Sequence, residues 1–158
     1  MTDTFIYFTP TNSDIIEELK KQASEVCRQT IPKKWITGCL SDFTFGFIHL
    51  SPVAQIGATR RYPTRKRVYS FVLCKQTTHN CVDVRLICAR PRSKEGSLLL
   101  ERVEKFAKQE EMEILSLSSL PEYRLVDWYK QKGFHIKTDI HDPKTYELKL
   151  YYMEKILK

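Results

Sequence analysis

Glycine and proline are scarce in this chain, 5 and 7 among 158 residues, and no internal repeat or low-complexity tract is present. At this length a 42% hydrophobic chain buries one sizeable core and has no room for a second, so a single domain over 1–158 is expected. No apolar run approaches the ~18 residues that cross a bilayer, and Met1-Thr-Asp-Thr-Phe5 lacks the charged start and apolar stretch of a leader. A protein with no membrane partner, soluble and intracellular, is the expectation. Cysteine is present in an odd number: Cys27, Cys39, Cys74, Cys81 and Cys88. Odd count and placement in or beside strands predict reduced core thiols and a cytoplasmic, reducing compartment rather than a disulfide framework. Cys74, His79, Cys81 and Cys88 form no Cys-x2-4-Cys knuckle, so no metal site is expected.

What is present is concentrated between Cys81 and Phe134. Cys81-Val-Asp-Val-Arg-Leu-Ile-Cys-Ala89 alternates Val82, Val84, Leu86 and Cys88 against Asp83 and Arg85, then turns apolar on both sides. That pattern predicts a strand, half-buried at its start and buried at its end. Pro91-Arg-Ser-Lys-Glu-Gly-Ser97 follows, and then Leu99, Val103, Phe106 and Ala107 recur at helical spacing with Glu101, Arg102, Glu104, Lys105 and Lys108 turned away. A helix therefore starts at a loop carrying Arg92, Lys94 and Gly96, with Arg90 just before it. Free N–H groups and the positive end of the helix dipole suit such a start to a pyrophosphate, and Gly96 lets a backbone approach closely.

Met112 to Leu120 interleaves apolar residues with serine as a second strand, and Pro121 to Phe134 reads as a second helix. Ser119 with Glu122 predicts a capping box, and Gly133 a C-cap. Upstream, Arg67 to Cys74, the turn Thr77-Thr-His-Asn80 and the Cys81 strand predict a β-hairpin. Thr4 to Phe8 is a short strand. Ile15, Leu19, Ala23 and Val26 share one face of a helix over Asp14–Cys27, with Asn12 to Asp14 offering caps. Phe43 to Leu50 and Val53 to Ala58 both have strand character.

Strand, turn with Gly96-Ser-Leu-Leu-Leu100, helix, strand, and then Trp128-Tyr129-Lys-Gln-Lys-Gly133-Phe134 resemble the GCN5-related N-acetyltransferases (GNAT). The ending Tyr-x-x-x-Gly-Phe is the most specific part. The resemblance covers about residues 68 to 136, and Thr145 to Lys155 looks like the family's closing strand. It implies an α/β, three-layer GNAT-like fold with a central mixed, mostly antiparallel sheet flanked by helices. It also implies that the fourth and fifth strands part to admit the arm of acetyl-CoA. The family loop is Arg/Gln-x-x-Gly-x-Gly/Ala. Setting its last glycine on Gly96 places Lys94 at the earlier glycine and Pro91 at the Arg/Gln, so two of three signature positions differ and a stiffer or shorter loop is expected. Arg90 and Arg92 are then expected to supply mobile positive charge, and Glu122 stands at the family's helix-start asparagine.

The resemblance implies an acetyl-CoA-dependent N-acetyltransferase in which an amine of a small molecule or protein attacks the thioester directly. Ile87, Cys88 and Ala89 would hold the pantetheine through their backbone, and Arg92, Ser93, Lys94, Glu95, Gly96 and Ser97 the pyrophosphate. Tyr129 falls on the general-acid tyrosine; a phenol of pKa about 10 is protonated at neutral pH and can donate to sulfur. The base is not marked by a motif, and Asp83, Glu122 and His49 are candidates. The alternative is an inactive GNAT-fold binding module whose basic surface takes nucleic acid or a protein partner, as a monomer or homodimer.

The net charge of +7 is concentrated at Arg60, Arg61, Arg65, Lys66 and Arg67. A solvated loop, attraction of a polyanionic cofactor or acidic substrate, and nucleic-acid contact through Tyr62 and Tyr69 are the three readings.

Overall fold

The computed structural model describes residues 4–27, 31–53, 65–120, 122–141 and 149–157. In chain order these form β1 (Ile6–Phe8), α1 (Ser13–Val26), α2 (Lys33–Ser41), β2 (Phe45–Val53), β3 (Arg65–Thr78), β4 (Cys81–Ala89), α3 (Glu95–Gln109), β5 (Ile114–Ser119), α4 (Tyr123–Gln131), β6 (His135–His141) and β7 (Lys149–Ile156). The strands make a seven-stranded sheet in the order β1-β2-β3-β4-β5-β7-β6. β4 and β5 pair in parallel, whereas the β1–β2, β2–β3, β5–β7 and β6–β7 pairs are antiparallel. The expected mixed, mostly antiparallel sheet flanked by helices is therefore observed. All of the expected Val53–Ala58 strand but Val53, the basic residues Arg60 and Arg61, and residues 145–148 of the closing strand lie outside the described residues. The chain divides into two compact units, Met1–Cys74 with Leu86–Val103 and Lys75–Arg85 with Glu104–Lys158.

In the first unit, one buried cluster joins Leu19, Ala23 and Val26 of α1 and Ile36 and Cys39 of α2 to Phe8, Ile48, Val68, Phe71, Leu73, Leu86 and Cys88 of the strands. The apolar stripe read along α1 is its buried face, but Gln22 sits in it too. Its side chain donates to Glu18 Oε2 at 2.8 Å and to the Lys66 carbonyl at 2.9 Å, and accepts from the Val68 N–H at 2.9 Å. The β2–β3 register shifts between His49 and Leu50, and the amide of Gln22 satisfies β3 backbone groups beside that irregularity. Helix α2 carried no clear signal, being nine residues long with Ile36 and Thr37 β-branched and Gly38 inside it. Asn12 is the N-cap residue of α1, yet its side chain accepts from the Thr9 N–H at 2.8 Å.

The cysteines correct the reading of five reduced thiols. Cys27, just after α1, is bonded to Cys88 on β4 with their Cα atoms 4.8 Å apart, while Cys39, Cys74 and Cys81 are free and buried. The partners are 61 residues apart in sequence, and only the packing of α1 against the end of β4 brings them within bridging distance. The cysteine pattern thus no longer argues for a reducing compartment.

In the second unit, β3 and β4 form the expected hairpin, with Thr78 Oγ1 donating to Asn80 Oδ1 at 2.8 Å across the turn. The parallel β4–β5 register runs from Cys81↔Ile114 to Val84↔Leu117, while β4 continues to Ala89. The end of α4 forms the double hydrogen bond of a Schellman motif: Phe134 N–H to the Tyr129 carbonyl at 3.1 Å and Gly133 N–H to the Lys130 carbonyl at 3.0 Å. Gly133 has φ of 99°, the left-handed conformation that favours glycine. The capping box at the other end does not form. Glu122 is the N-cap residue with no side-chain cap bond, and Ser119, still in β5, donates to the Leu120 carbonyl at 2.9 Å.

Intact-mass analysis after alkylating the unfolded, unreduced protein should find three modified thiols, and Cys27→Ser should cost about 2–4 kcal/mol of stability. In reducing buffer, the Tm of parent and variant should converge. A Cβ on Gly46 would lie 2.5 Å from the Val72 carbonyl oxygen and 2.6 Å from the Phe8 ring, so Gly46→Ala should lower stability by about 1–3 kcal/mol in a denaturant titration.

Candidate functional site

The residues expected to hold a cofactor arm and its phosphates lie in the first unit. Ile87 and Ala89 are half-buried and Cys88 is buried; with Cys88 Sγ in the disulfide, only its backbone is available to a ligand. Arg90 is not mobile. Its Nε donates to the Val68 carbonyl at 2.9 Å, its Nη2 lies 3.7 Å from Glu25 Oε2, and its N–H donates to the Tyr69 carbonyl at 3.1 Å. The charge expected of it at the loop is committed to holding the end of β4.

Arg92 and Lys94 are exposed, and both have left-handed backbone, φ of 67° and 59°. This conformation costs a non-glycine residue about 1–2 kcal/mol. Two such residues within three positions mark stored strain of a kind that clusters at ligand-binding loops. Lys94, which the resemblance sets on the earlier family glycine, adopts the left-handed backbone that glycine favours. Ser93 closes the turn, its N–H donating to the Arg90 carbonyl at 3.2 Å and its Oγ accepting from the Glu95 N–H at 3.4 Å. Gly96 and Ser97, half-buried in the first turn of α3, have N–H groups for which the helix itself supplies no acceptor.

Glu95 turns inward. Its carboxylate, with a side chain 11% exposed, pairs with His49 Nδ1 of β2. His49 stacks on Tyr69 at 4.8 Å, and the Arg67 guanidinium lies over the Tyr69 ring at 5.5 Å. Of the six loop residues expected at the phosphates, Glu95 therefore has only its backbone left for a ligand, and its carboxylate sits favourably at the positive end of α3. The His49–Glu95 pairing joins residues 46 apart, and no local pattern announces it.

Tyr129 and Asp83 belong to the second unit. Tyr129 is 6% exposed; its ring meets Trp128 at 5.0 Å and Phe134 at 5.9 Å, both edge-on. Asp83 Oδ1 accepts from Ser116 Oγ at 2.6 Å, and Oδ2 lies 3.0 Å from Arg85 Nε. Burial pushes the Asp83 carboxyl above its usual 3.8, and the Ser116 bond and Arg85 charge offset this only in part. Glu122 is half-buried at the start of α4. Among the described residues no group of three or more His, Cys, Asp or Glu is disposed to hold a metal, and no helix is long and apolar enough to cross a membrane.

No family model and no curated protein matches the sequence. Solved structures do match the fold. Tetrahymena GCN5 superposes with a TM-score of 0.67 at 14% identity, over 99% of this chain and 97% of that one. An IAA acetyltransferase from Bacillus cereus gives 0.66 at 14% identity over 96% and 97%. The chain has the GNAT fold. An aminoglycoside 6'-N-acetyltransferase complexed with coenzyme A gives 0.64 at 10% identity over 98% and 97%. The parallel β4–β5 pair, the helix start after β4 and the Tyr129–Phe134 helix end are thus parts of a chain with this fold.

One further charged site in the GNAT scaffold escaped the sequence reading. Lys155 of β7 donates to the Lys132 carbonyl at the end of α4 and to Glu104 Oε2 of α3, both at 2.9 Å. Burial raises the Glu104 carboxyl, but hydrogen bonds from Lys155 and Lys108, backed by their charges, outweigh it and hold it below its usual 4.5. A lowered folded-state value gives stability that is complete above 4.5 and lost as pH falls through the lowered value. Lys155→Met should therefore lower Tm at pH 7, by the equivalent of about 1–2 kcal/mol. The gap to the parent should narrow in melts at pH 3.

Proposed function

We propose that this chain is an acetyl-CoA-dependent N-acetyltransferase that acts on a primary amine of a small molecule or protein. The observation that carries this reading is the left-handed backbone of Arg92 and Lys94 at the start of α3. The turn keeps a costly shape without glycine, and the two side chains holding that shape are exposed cations. Strain retained in this way is best accounted for by a ligand with phosphates.

In this reading the N–H groups of Gly96 and Ser97, with Arg92 and Lys94, hold the pyrophosphate, Ser93 fixes the turn, and Ile87, Cys88 and Ala89 offer backbone groups to the pantetheine. Bound acetyl-CoA supplies the acyl group as a thioester. Asp83 accepts the proton that the amine must lose, a role that suits a carboxyl raised by burial. Tyr129 donates a proton to the departing sulfur, and its buried ring, wedged between Trp128 and Phe134, fixes the direction of that donation.

Calorimetric titration with acetyl-CoA, free CoA and desulfo-CoA should show 1:1 binding in the micromolar range that survives moderate salt. Tyr129→Phe keeps the ring contacts and removes only the hydroxyl, so it should retain cofactor affinity while kcat falls about 10²-fold. Absence of acetyl transfer by the parent protein to a panel of primary amines, or binding that vanishes in salt, would overturn the reading.

A further inference from the structure

Resting on that reading, we propose that the His49–Glu95 pair sets the affinity of the α3 start for the cofactor's pyrophosphate, so that binding takes up a proton on His49. Glu95 is tied at both ends. Its N–H donates to Ser93 Oγ at 3.4 Å within the strained turn, and its carboxylate accepts from His49 Nδ1 of β2. It also directly precedes Gly96 and Ser97, whose N–H groups are the pyrophosphate donors of that reading.

The sheet builds the other half of the pair. His49 is opposite Ser70 and Leu50 opposite Val68, so Tyr69 is the extra residue of a bulge in β3. Its ring stacks on His49 at 4.8 Å with the planes 27° apart, and Phe5 stands perpendicular to the imidazole at 6.3 Å. The imidazole is thus held from two sides with Nδ1 toward Glu95. A carboxylate only accepts, so the neutral ring carries its proton on Nδ1, and Nε2 is the atom that gains or loses the second. The His49 side chain is 27% exposed and that of Glu95 11%, which gives the imidazole a route to water while the carboxylate stays enclosed.

Charge decides what this pair does to a ligand. With a neutral imidazole the pair carries a full negative charge at the first residue of α3, where it opposes a pyrophosphate. With an imidazolium it carries no net charge, and the N–H groups and exposed cations of the loop act unopposed. Enclosure keeps this difference from being screened as a surface charge would be. By reciprocity, a pyrophosphate that binds the protonated pair more tightly makes His49 hold its proton more tightly. No bond of the ligand changes: a proton from water adds to the Nε2 lone pair as the pyrophosphate arrives and returns to water as it departs.

The neighbouring charged groups leave this role to His49. Tyr69 stacks on its ring, and the Arg67 guanidinium lies over Tyr69 at 5.5 Å. Arg102 of α3 lies over Phe47 of β2 at 4.7 Å, Arg90 is tied to the Val68 carbonyl and Glu25, and Arg92 and Lys94 are exposed in the loop. Tyrosine, lysine and arginine ordinarily keep their protons below about pH 9 and carboxylates lose theirs below about pH 5, whereas imidazole titrates between the two.

The experiment is calorimetric titration of the full chain with acetyl-3′-dephospho-CoA across about pH 5.5–8.5, in buffers of different ionisation enthalpy. This probe keeps the pyrophosphate but has neither a free thiol nor the phosphate monoester, which titrates at about pH 6, so any proton counted belongs to the protein. The parent's Kd should rise about tenfold from the acid to the alkaline end, with net proton uptake on binding between them. Glu95→Gln should bind throughout with close to the parent's acid-end affinity. His49→Gln, whose amide still donates to Glu95, should bind throughout with close to the alkaline-end affinity. Loosening a tether would weaken both variants rather than shift them in opposite directions. A flat parent profile without proton uptake, or two weakened variants that keep the parent's profile, would overturn the inference and leave the pair a tether. Binding of acetyl-CoA but not of the probe would place the affinity in the 3′-phosphate and overturn it while the acetyltransferase reading stands. If neither ligand binds, that reading fails and takes this inference with it. Should His49→Gln not fold, Glu95→Gln and the parent's proton count decide.

Discussion

The end of β4 is held by side chains rather than by its neighbouring strands alone, and the site depends on that. Arg90 crosses to the Val68 carbonyl and to Glu25 of α1, and Cys88 is bonded to Cys27 just beyond the same helix. Gln22, one turn earlier on α1, holds β3 at Lys66 and Val68. Gln22 and Glu25 of α1 and Cys27 just after it thus fix the β3–β4 end from which the loop departs. The loop then needs only Ser93 to close it, and the left-handed conformations of Arg92 and Lys94 are sustained because both ends are clamped. A strained turn persists only where its surroundings over-determine it.

The Tyr-x-x-x-Gly-Phe ending of α4 follows from how the helix stops. Gly133 is required by the turn geometry: its φ is positive, and a Cβ there would lie 3.1 Å from the Lys155 side chain. Phe134 is required by the apolar contact that accompanies a Schellman end, and the ring it meets is Tyr129, whose own carbonyl receives the Phe134 N–H. The spacing therefore follows from helix termination. It also immobilises the Tyr129 ring, which is what a phenol acting as a proton donor needs.

How much was legible follows from sequence separation. The buried faces of α1 and α3, the β3–β4 hairpin and the end of α4 are set by residues within a turn or two of one another, and periodicity exposes them. Leu99, Val103 and Ala107 are buried as read, together with Leu100. The disulfide, the His49–Glu95 pair and the Ser116–Asp83 bond join residues 61, 46 and 33 apart, and no local rule links such positions. The capping box failed for a different reason. Ser119 and Glu122 have the right spacing, but Ser119 is still strand and buried at 2% exposure, so its hydroxyl is not where a helix cap must be.

β5 reads Ile-Leu-Ser-Leu-Ser-Ser over residues 114–119, and its alternation separates two kinds of burial. Leu115 and Leu117 are at most 2% exposed, and their removal from water is favourable wherever they pack. Ser116 is equally buried, and it stabilises nothing unless its hydroxyl is bonded. Valine at that position would satisfy the strand at lower cost, and so would an apolar residue in place of Asp83, whose carboxyl is raised because burial disfavours its charge. Replacing buried polar partners by apolar ones of similar shape is often neutral or stabilising. A buried serine hydroxyl bonded to a disfavoured carboxylate is thus poorly explained by stability.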